Sequence, residues 1–178
     1  MSDRLSAKEI VDLWKTAIEV EQHFNTVEMN VRNIFATIVV ALIAGVGYTI
    51  KEKIGLICGI SFAPVLCLAA IFMTALFYFV DRYWYHRLLI GAVKEATRLE
   101  EEISKMSDVH IRLSQQISEF SPVELPPLIK TLFGWVISEK RFKESGKLHS
   151  DGKIEFFYKS IMLMFAILAV VTFGVKVS

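Results

Sequence analysis

The sequence predicts an all-α membrane protein: a two-helix transmembrane hairpin extended into long cytoplasmic helices, with a further membrane helix near the C-terminus. Three observations carry this reading. Residues 34–50 and 54–80 are two apolar runs without a single Asp, Glu, Lys, Arg or His. Only Lys51, Glu52 and Lys53 separate them, which leaves no room for a domain and requires the chain to turn straight back. A third run, residues 160–175, is again free of charge, and residues 154–158 extend it with one acid, Glu155, among four apolar side chains. A bilayer core takes about 20 apolar residues per helix, and because lipid cannot hydrogen-bond the backbone, each run must be helical. The 53% hydrophobic content agrees, since it exceeds the roughly 45–50% of ordinary soluble domains.

The first helix is expected to begin well before the bilayer. Ser6-Ala7-Lys8-Glu9 is a capping box, in which the serine hydroxyl accepts from the Glu9 N–H and the glutamate reaches back. Apolar residues follow at Ile10, Leu13, Ala17, Val20, Phe24, Val27, Val31, Ile34 and Ile38, alternating steps of three and four. That is a heptad seam running from cytoplasm into membrane. Neither Pro nor Gly interrupts residues 7–44, so one helix over about 6–50 is predicted. Its cytoplasmic part would stand roughly 40 Å off the membrane at 1.5 Å per residue.

In the second span, Gly55, Gly59 and Ala63 recur every four residues and Cys67 follows, a stripe of small side chains that permits close helix packing. Ala41 and Gly45 offer a shorter matching pair on the first span. Pro64 is expected to bend the second span near its middle. Cys58 and Cys67 both lie within this run and read as small buried apolar residues with no disulfide framework.

Beyond Val80 a second seam passes through Leu89, Ala92, Ala96, Leu99, Ile103, Met106, His110, Leu113, Ile117 and Phe120. Ser107-Asp108 is a place where this helix could break or be capped again. Pro122, Pro126 and Pro127 end the pattern. Residues 128–137 form a short apolar segment with Trp135, read as a helix packed on the arms or lying at the membrane surface. Residues 138–153, charged and containing Gly146 and Gly152, read as a mobile link. The chain thus divides into a cytoplasmic N-terminal arm (1–33), a transmembrane hairpin (34–80), a second cytoplasmic arm (81–120), a Pro-containing segment and link (121–153) and a C-terminal membrane helix (154–178).

Orientation follows from the basic residues. Of 20 Lys and Arg, 17 lie in residues 1–33 and 81–159, which the positive-inside rule places in the cytoplasm. No cleaved secretory signal is expected, because the N-terminus mixes acids and bases and the first apolar run starts only at Ile34. A formal net charge of +1 with no concentrated basic stripe speaks against a nucleic-acid partner.

Function is expected in a charged belt at the membrane boundary. Glu21, Asn25, Glu28 and Arg32 follow helical spacing on a face away from the apolar seam, and Glu28 and Arg32 form an i,i+4 pair of favourable polarity. Asp81, Arg82, His86 and Arg87 cross the same level on the second helix, beside an aromatic belt of Tyr83, Trp84 and Tyr85. Glu100, Glu101 and Glu102 read as a solvated helix face. No Ser/His/Asp order, Gly-rich phosphate loop or metal spacing appears, so no catalytic residue, cofactor or metal is expected. Arg82 and His86 are separated by three residues and Arg141 and His149 by seven, whereas the HEPN ribonuclease pattern has an intermediate gap. The uncharged spans also argue against a coupled transporter. Polar side chains available to a pore wall are few: Thr37, Tyr48, Thr49, Ser61, Thr74 and Tyr78.

The layout resembles the RipA family of small bacterial octameric membrane proteins. The resemblance rests on Leu13-Trp14-Lys15, on residues 21–32 leading straight into the first span and tight hairpin, and on residues 81–89 after the second span. That family is similar in plan to the accessory membrane pore of type VI-B CRISPR systems. The resemblance implies an inner-membrane homo-octamer whose cytoplasmic helices form a ring around a pore-like or lipid-filled centre, with a role in membrane stress adaptation or survival in host cells. The residues themselves leave open an antiphage effector that permeabilises the membrane, or a scaffold for a membrane enzyme or lipid-synthesis factor.

Overall fold

A computed structural model describes residues 6–55, 61–106 and 110–174. It is mostly helical, and three of its helices are long and apolar enough to cross a membrane.

Helix α1 runs from Ala7 to Lys51 without a break, and the capping box forms: Ser6 accepts from the Glu9 N–H while Glu9 returns to the Ser6 N–H at 2.7 Å. The hairpin turn is longer than the charged tripeptide. Lys53 takes a positive φ of 53°, Gly55 bridges to Ser61, and α2 begins only at Ala63, reaching Val80. Its 18 residues span about 27 Å, close to the bilayer core. Pro64 lies in the first turn of α2, where its missing N–H would have had no helical partner in any case. The expected mid-span bend therefore does not arise from it.

At Asp81 the α2 helix continues through a π-helical segment, Asp81–Tyr85, into α3, His86–Met106. The His86 N–H donates to the Asp81 carbonyl, five residues back. This wider turn puts Asp81 and His86, 0% and 4% exposed, on the same inward side. The second seam holds at Ala96, Leu99 and Ile103, which are buried, and Leu99 and Ile103 pack with Ile10 of α1. It does not hold beyond Met106. Helix α4, Leu113–Phe120, is a separate element, and Leu113, Ile117 and Phe120 are exposed. Ser107 and Asp108 fall outside the described residues, as do Cys58 and Gly59.

Residues 138–153 are built rather than a plain link. Strand β1, Val123–Glu124, pairs antiparallel with β2, Lys147–Leu148. Helix α5, Pro127–Phe133, passes into a 3₁₀ turn, Gly134–Val136, followed by α6, Lys140–Ser145. Gly146, at φ 70°, ends α6 and redirects the chain into β2. Ile137, Phe142 and Leu148 form a small core that anchors the unit. Helix α7, Ser150–Phe173, is the third apolar helix and starts four residues before the expected span.

The membrane-level core lies between α1, α2 and α7. Phe35, Val39 and Val46 meet Ala63, Cys67 and Ala70, with Tyr158 and Phe165 from α7. Ala63, Cys67 and Ala70 are all 0% exposed, so small residues do set this packing. Two members of the expected stripes do not take part. Gly55 lies in the turn, ahead of the helix, and Ala41 is exposed on α1. Gly45 alone approaches α2, where an added Cβ would lie 3.8 Å from Leu66.

Candidate functional site: a charged circuit at the membrane boundary

Glu28 and Arg32 lie one turn apart on α1, so their side chains share a face. That face meets the π-helical segment. Arg32 clasps Asp81 with two donors, Nε to Oδ2 at 2.8 Å and Nη2 to Oδ1 at 3.4 Å, and also bonds Glu28. Asp81 has no exposed surface and Glu28 only 3%. Burial on this scale requires a cation beside each carboxylate, because desolvating an unpaired charge is prohibitive.

The arrangement continues past Glu28. His86 Nδ1 lies 3.3 Å from a Glu28 oxygen. Its Nε2 is buried without a hydrogen-bond partner among the described residues, 3.8 Å from Asp151 on α7. Arg82 lies between Asp151 at 3.9 Å and Glu155 at 3.7 Å, with its guanidinium over the rings of Tyr78 and Tyr83. Glu155 in turn bonds Lys159 and the Ser138 hydroxyl. The order Asp81, Arg32, Glu28, His86, Asp151, Arg82, Glu155, Lys159 alternates acid and base throughout. It ties α1, the π-helical segment with α3, and α7 together at one level. Four acids face three permanent cations and one histidine, so the circuit is neutral when His86 carries a proton. A cleft of about 350 Å³ opens beside it, with Asn25, Glu28, Arg32 and His86 on one side and Lys153 and Phe157 on the other.

Of the belt residues expected from sequence, Glu28, Arg32, Asp81, Arg82 and His86 are brought together, and Asn25 lines the cleft. Glu21 is not part of it. It faces Ser114, whose hydroxyl donates to it at 3.3 Å. Burial pushes the Glu21 carboxyl above its ordinary range; the Ser114 bond opposes this and the Glu100 charge reinforces it.

Glu100 itself corrects the reading of a solvated acidic face. It is 2% exposed, accepts from the Ser114 N–H at 2.8 Å at the start of α4, and accepts from the Trp14 indole at 3.3 Å. Glu101 alone of the three is fully on the solvent side, with Glu102 partly exposed and paired to Arg98. A carboxylate on the first N–H groups of α4 is favoured by the helix dipole as well as by the hydrogen bonds.

The residues missed by sequence reasoning are Asp151, Glu155 and Lys159. Their signal was present: they recur every four residues at the start of the third apolar run, the same logic that marked Glu28 and Arg32. Among the polar residues considered for a pore wall, Thr49, Ser61 and Thr74 are buried at 5%, 1% and 1%. Thr49 and Thr74 donate to their own helix backbones, at 2.8 and 2.7 Å. Thr37 and Tyr48 remain on the outer surface of α1, and Tyr78 is bound to Arg82.

No protein-family model matches the chain, and no curated protein and no solved structure matches it.

Proposed function

We propose that the protein is a non-enzymatic homo-oligomer of the bacterial inner membrane, with its N-terminal arm and residues 81–153 in the cytoplasm. The charged circuit acts as the joint that fixes each subunit's arms to its spans. The observation that supports self-association is an apolar flank on α1 that the described residues leave uncovered. Leu13 and Val20 are 47% and 41% exposed. They precede Ile34 by 21 and 14 residues, which places them roughly 30 and 20 Å from the start of the apolar run at 1.5 Å per residue. Lipid does not reach that far, so a protein surface is the natural cover. The steps of seven from Leu13 through Val20 and Val27 to Ile34 suit a second copy of the same helix.

A ring of eight subunits, as in the RipA family that the layout resembles, would give the arms a closed set of such contacts. Its centre would have little polarity from the spans, because Thr49, Ser61 and Thr74 are turned inward within the subunit. A dewetted or lipid-filled centre fits these side chains better than a water-filled channel. Membrane stress adaptation or survival in host cells is the role this resemblance suggests.

Native mass spectrometry or cryo-electron microscopy of the detergent-solubilised chain tests the proposal. A closed assembly of several subunits with α1 flanks in contact is expected. A monomer at all concentrations would overturn it.

A further inference from the structure

On α5 and the 3₁₀ turn, Leu128, Leu132 and Trp135 are 71%, 55% and 70% exposed. They stand at i, i+4 and i+7, the spacing of a single apolar face. The Trp135 indole N–H donates to the Leu132 carbonyl at 2.8 Å, so the ring can enter an apolar medium without carrying an unpaired donor.

The depth of this face is set by its tie to α7. Lys159 donates to the Val136 carbonyl at 3.2 Å and to the Ser138 hydroxyl at 2.9 Å. The third apolar run ends at Val175. Counting back about 20 residues, the length that crosses a hydrocarbon core, reaches Phe156. Lys159 lies three residues inside that limit, roughly 4–5 Å below the boundary at 1.5 Å per residue. Its ammonium reaches back toward the headgroups, where it also meets Glu155, so the 3₁₀ turn is held close to the boundary. Interfacial helices bury their apolar face to a similar depth, about 5–10 Å.

Charge points the same way. Residues 128–153 contain six Lys and Arg against three Asp and Glu. The Lys130 ammonium lies beside Gly146, the residue that ends α6 and precedes Lys147, so a basic residue of α5 reaches the turn between α6 and β2. A basic surface adjoining an apolar face suits a leaflet containing anionic lipid.

We propose that α5 and the 3₁₀ turn form an interfacial anchor: Leu128, Leu132 and Trp135 enter the cytoplasmic leaflet of the same bilayer that the spans cross, and the basic residues of 130–153 meet anionic headgroups. The protein then holds the membrane by three spans and by one element lying in its surface. This is independent of subunit number.

The test uses the full chain reconstituted in vesicles of mixed neutral and anionic phospholipid. The neutral lipid carries bromine either near the carbonyl end or near the methyl end of its chains. The difference in emission between the native chain and Trp135→Phe isolates Trp135 from Trp14 and Trp84. Quenching that is stronger from the shallow bromine, with emission shifted to shorter wavelength, is expected. In purely neutral vesicles that quenching should weaken. Leu128→Asp provides an independent reading, because it should move the Trp135 component to longer wavelength. Efficient quenching by aqueous iodide, with none from either lipid, would overturn the proposal by placing Trp135 in water. Protection from all quenchers would overturn it in favour of a protein neighbour. Oligomer size, measured on the same samples, reports separately on self-association.

Discussion

Replacing Arg32 with Met should destabilise the protein far more than its position near the surface of a helix suggests. The guanidinium has 26% of its side chain exposed, but the two carboxylates it serves have 0% and 4%. Arg32→Met leaves Asp81 with both oxygens buried and without the donors it has now. Removing one partner of a buried ion pair costs about 3–5 kcal/mol, and the partial exposure of Arg32 favours the lower end. About 3 kcal/mol is a little over a hundredfold in the folding equilibrium. Asp81→Asn should cost less, because the amide oxygen still accepts from Arg32 while Glu28 retains the cation. The double variant Arg32→Met with Asp81→Leu removes both charges and should recover most of the loss, since a buried pair and an apolar replacement of similar volume are often close in energy. Denaturant unfolding in mixed micelles, followed by circular dichroism, of the native chain, Arg32→Met, Asp81→Leu and the double variant gives the four free energies and hence the coupling. A single variant as stable as the native chain would refute the reasoning. So would a double variant that loses the sum of the two single effects.

Three further outcomes are expected. Glu28→Ala deprives His86 Nδ1 and Arg32 of a shared acceptor, so the arms should loosen at the boundary; membrane insertion should persist while the assembly seen by native mass spectrometry weakens. Glu21→Gln should stabilise the chain at neutral pH. An acid whose folded pKa is raised detracts from stability above that pKa, and the penalty disappears as pH falls through it towards the unfolded value; the advantage of the variant should therefore fade in unfolding experiments as pH approaches 4.5, the ordinary value for a glutamate. Gly152→Ala places a Cβ 2.8 Å from the Leu148 Cδ2 and against the Glu139 carboxylate; both are side-chain ends, but Leu148 is held in the small core, so a loss at the lower end of the about 1–3 kcal/mol of overpacking is expected, readable as a lowered unfolding midpoint.

The first seam shows how far local pattern reaches. Ile10, Ala17, Phe24 and Val31, seven residues apart, form the middle of one face of α1. On one side stand Leu13, Val20, Val27 and Ile34; on the other stand Trp14, Glu21, Glu28 and Phe35. Hydropathy favours the first flank. The structure buries the second, with Glu28 at 3% and Phe35 at 1%, and leaves Leu13, Val20 and Ile34 exposed. Two glutamates can face inward only because Ser114, His86 and Arg32 meet them, and two of those three come from distant parts of the chain. The same limitation turned Glu100 into an apparent surface acid: its partners Trp14 and Ser114 lie 86 and 14 residues away. Pro64 leaves the span unbent for a different reason. Its effect depends on where the helix starts, and the turn through Gly55 and Ser61 moved that start nine residues beyond Ile54.

Sequence by itself determined the three apolar helices, the unbroken length of α1 and its cap, and the level at which charge returns to the chain. These properties follow from run length, period and neighbouring residues, all of which act within a few turns of helix. Tertiary structure decided which flank of α1 is covered, and that Asp151, Glu155 and Lys159 of α7 extend through His86 and Arg82 the series of charges that starts at Asp81 and Arg32. The pairing of Arg32 with Asp81 joins residues 49 positions apart. Its geometry depends on the hairpin register and on the extra residue in the π-helical turn, which no local periodicity encodes.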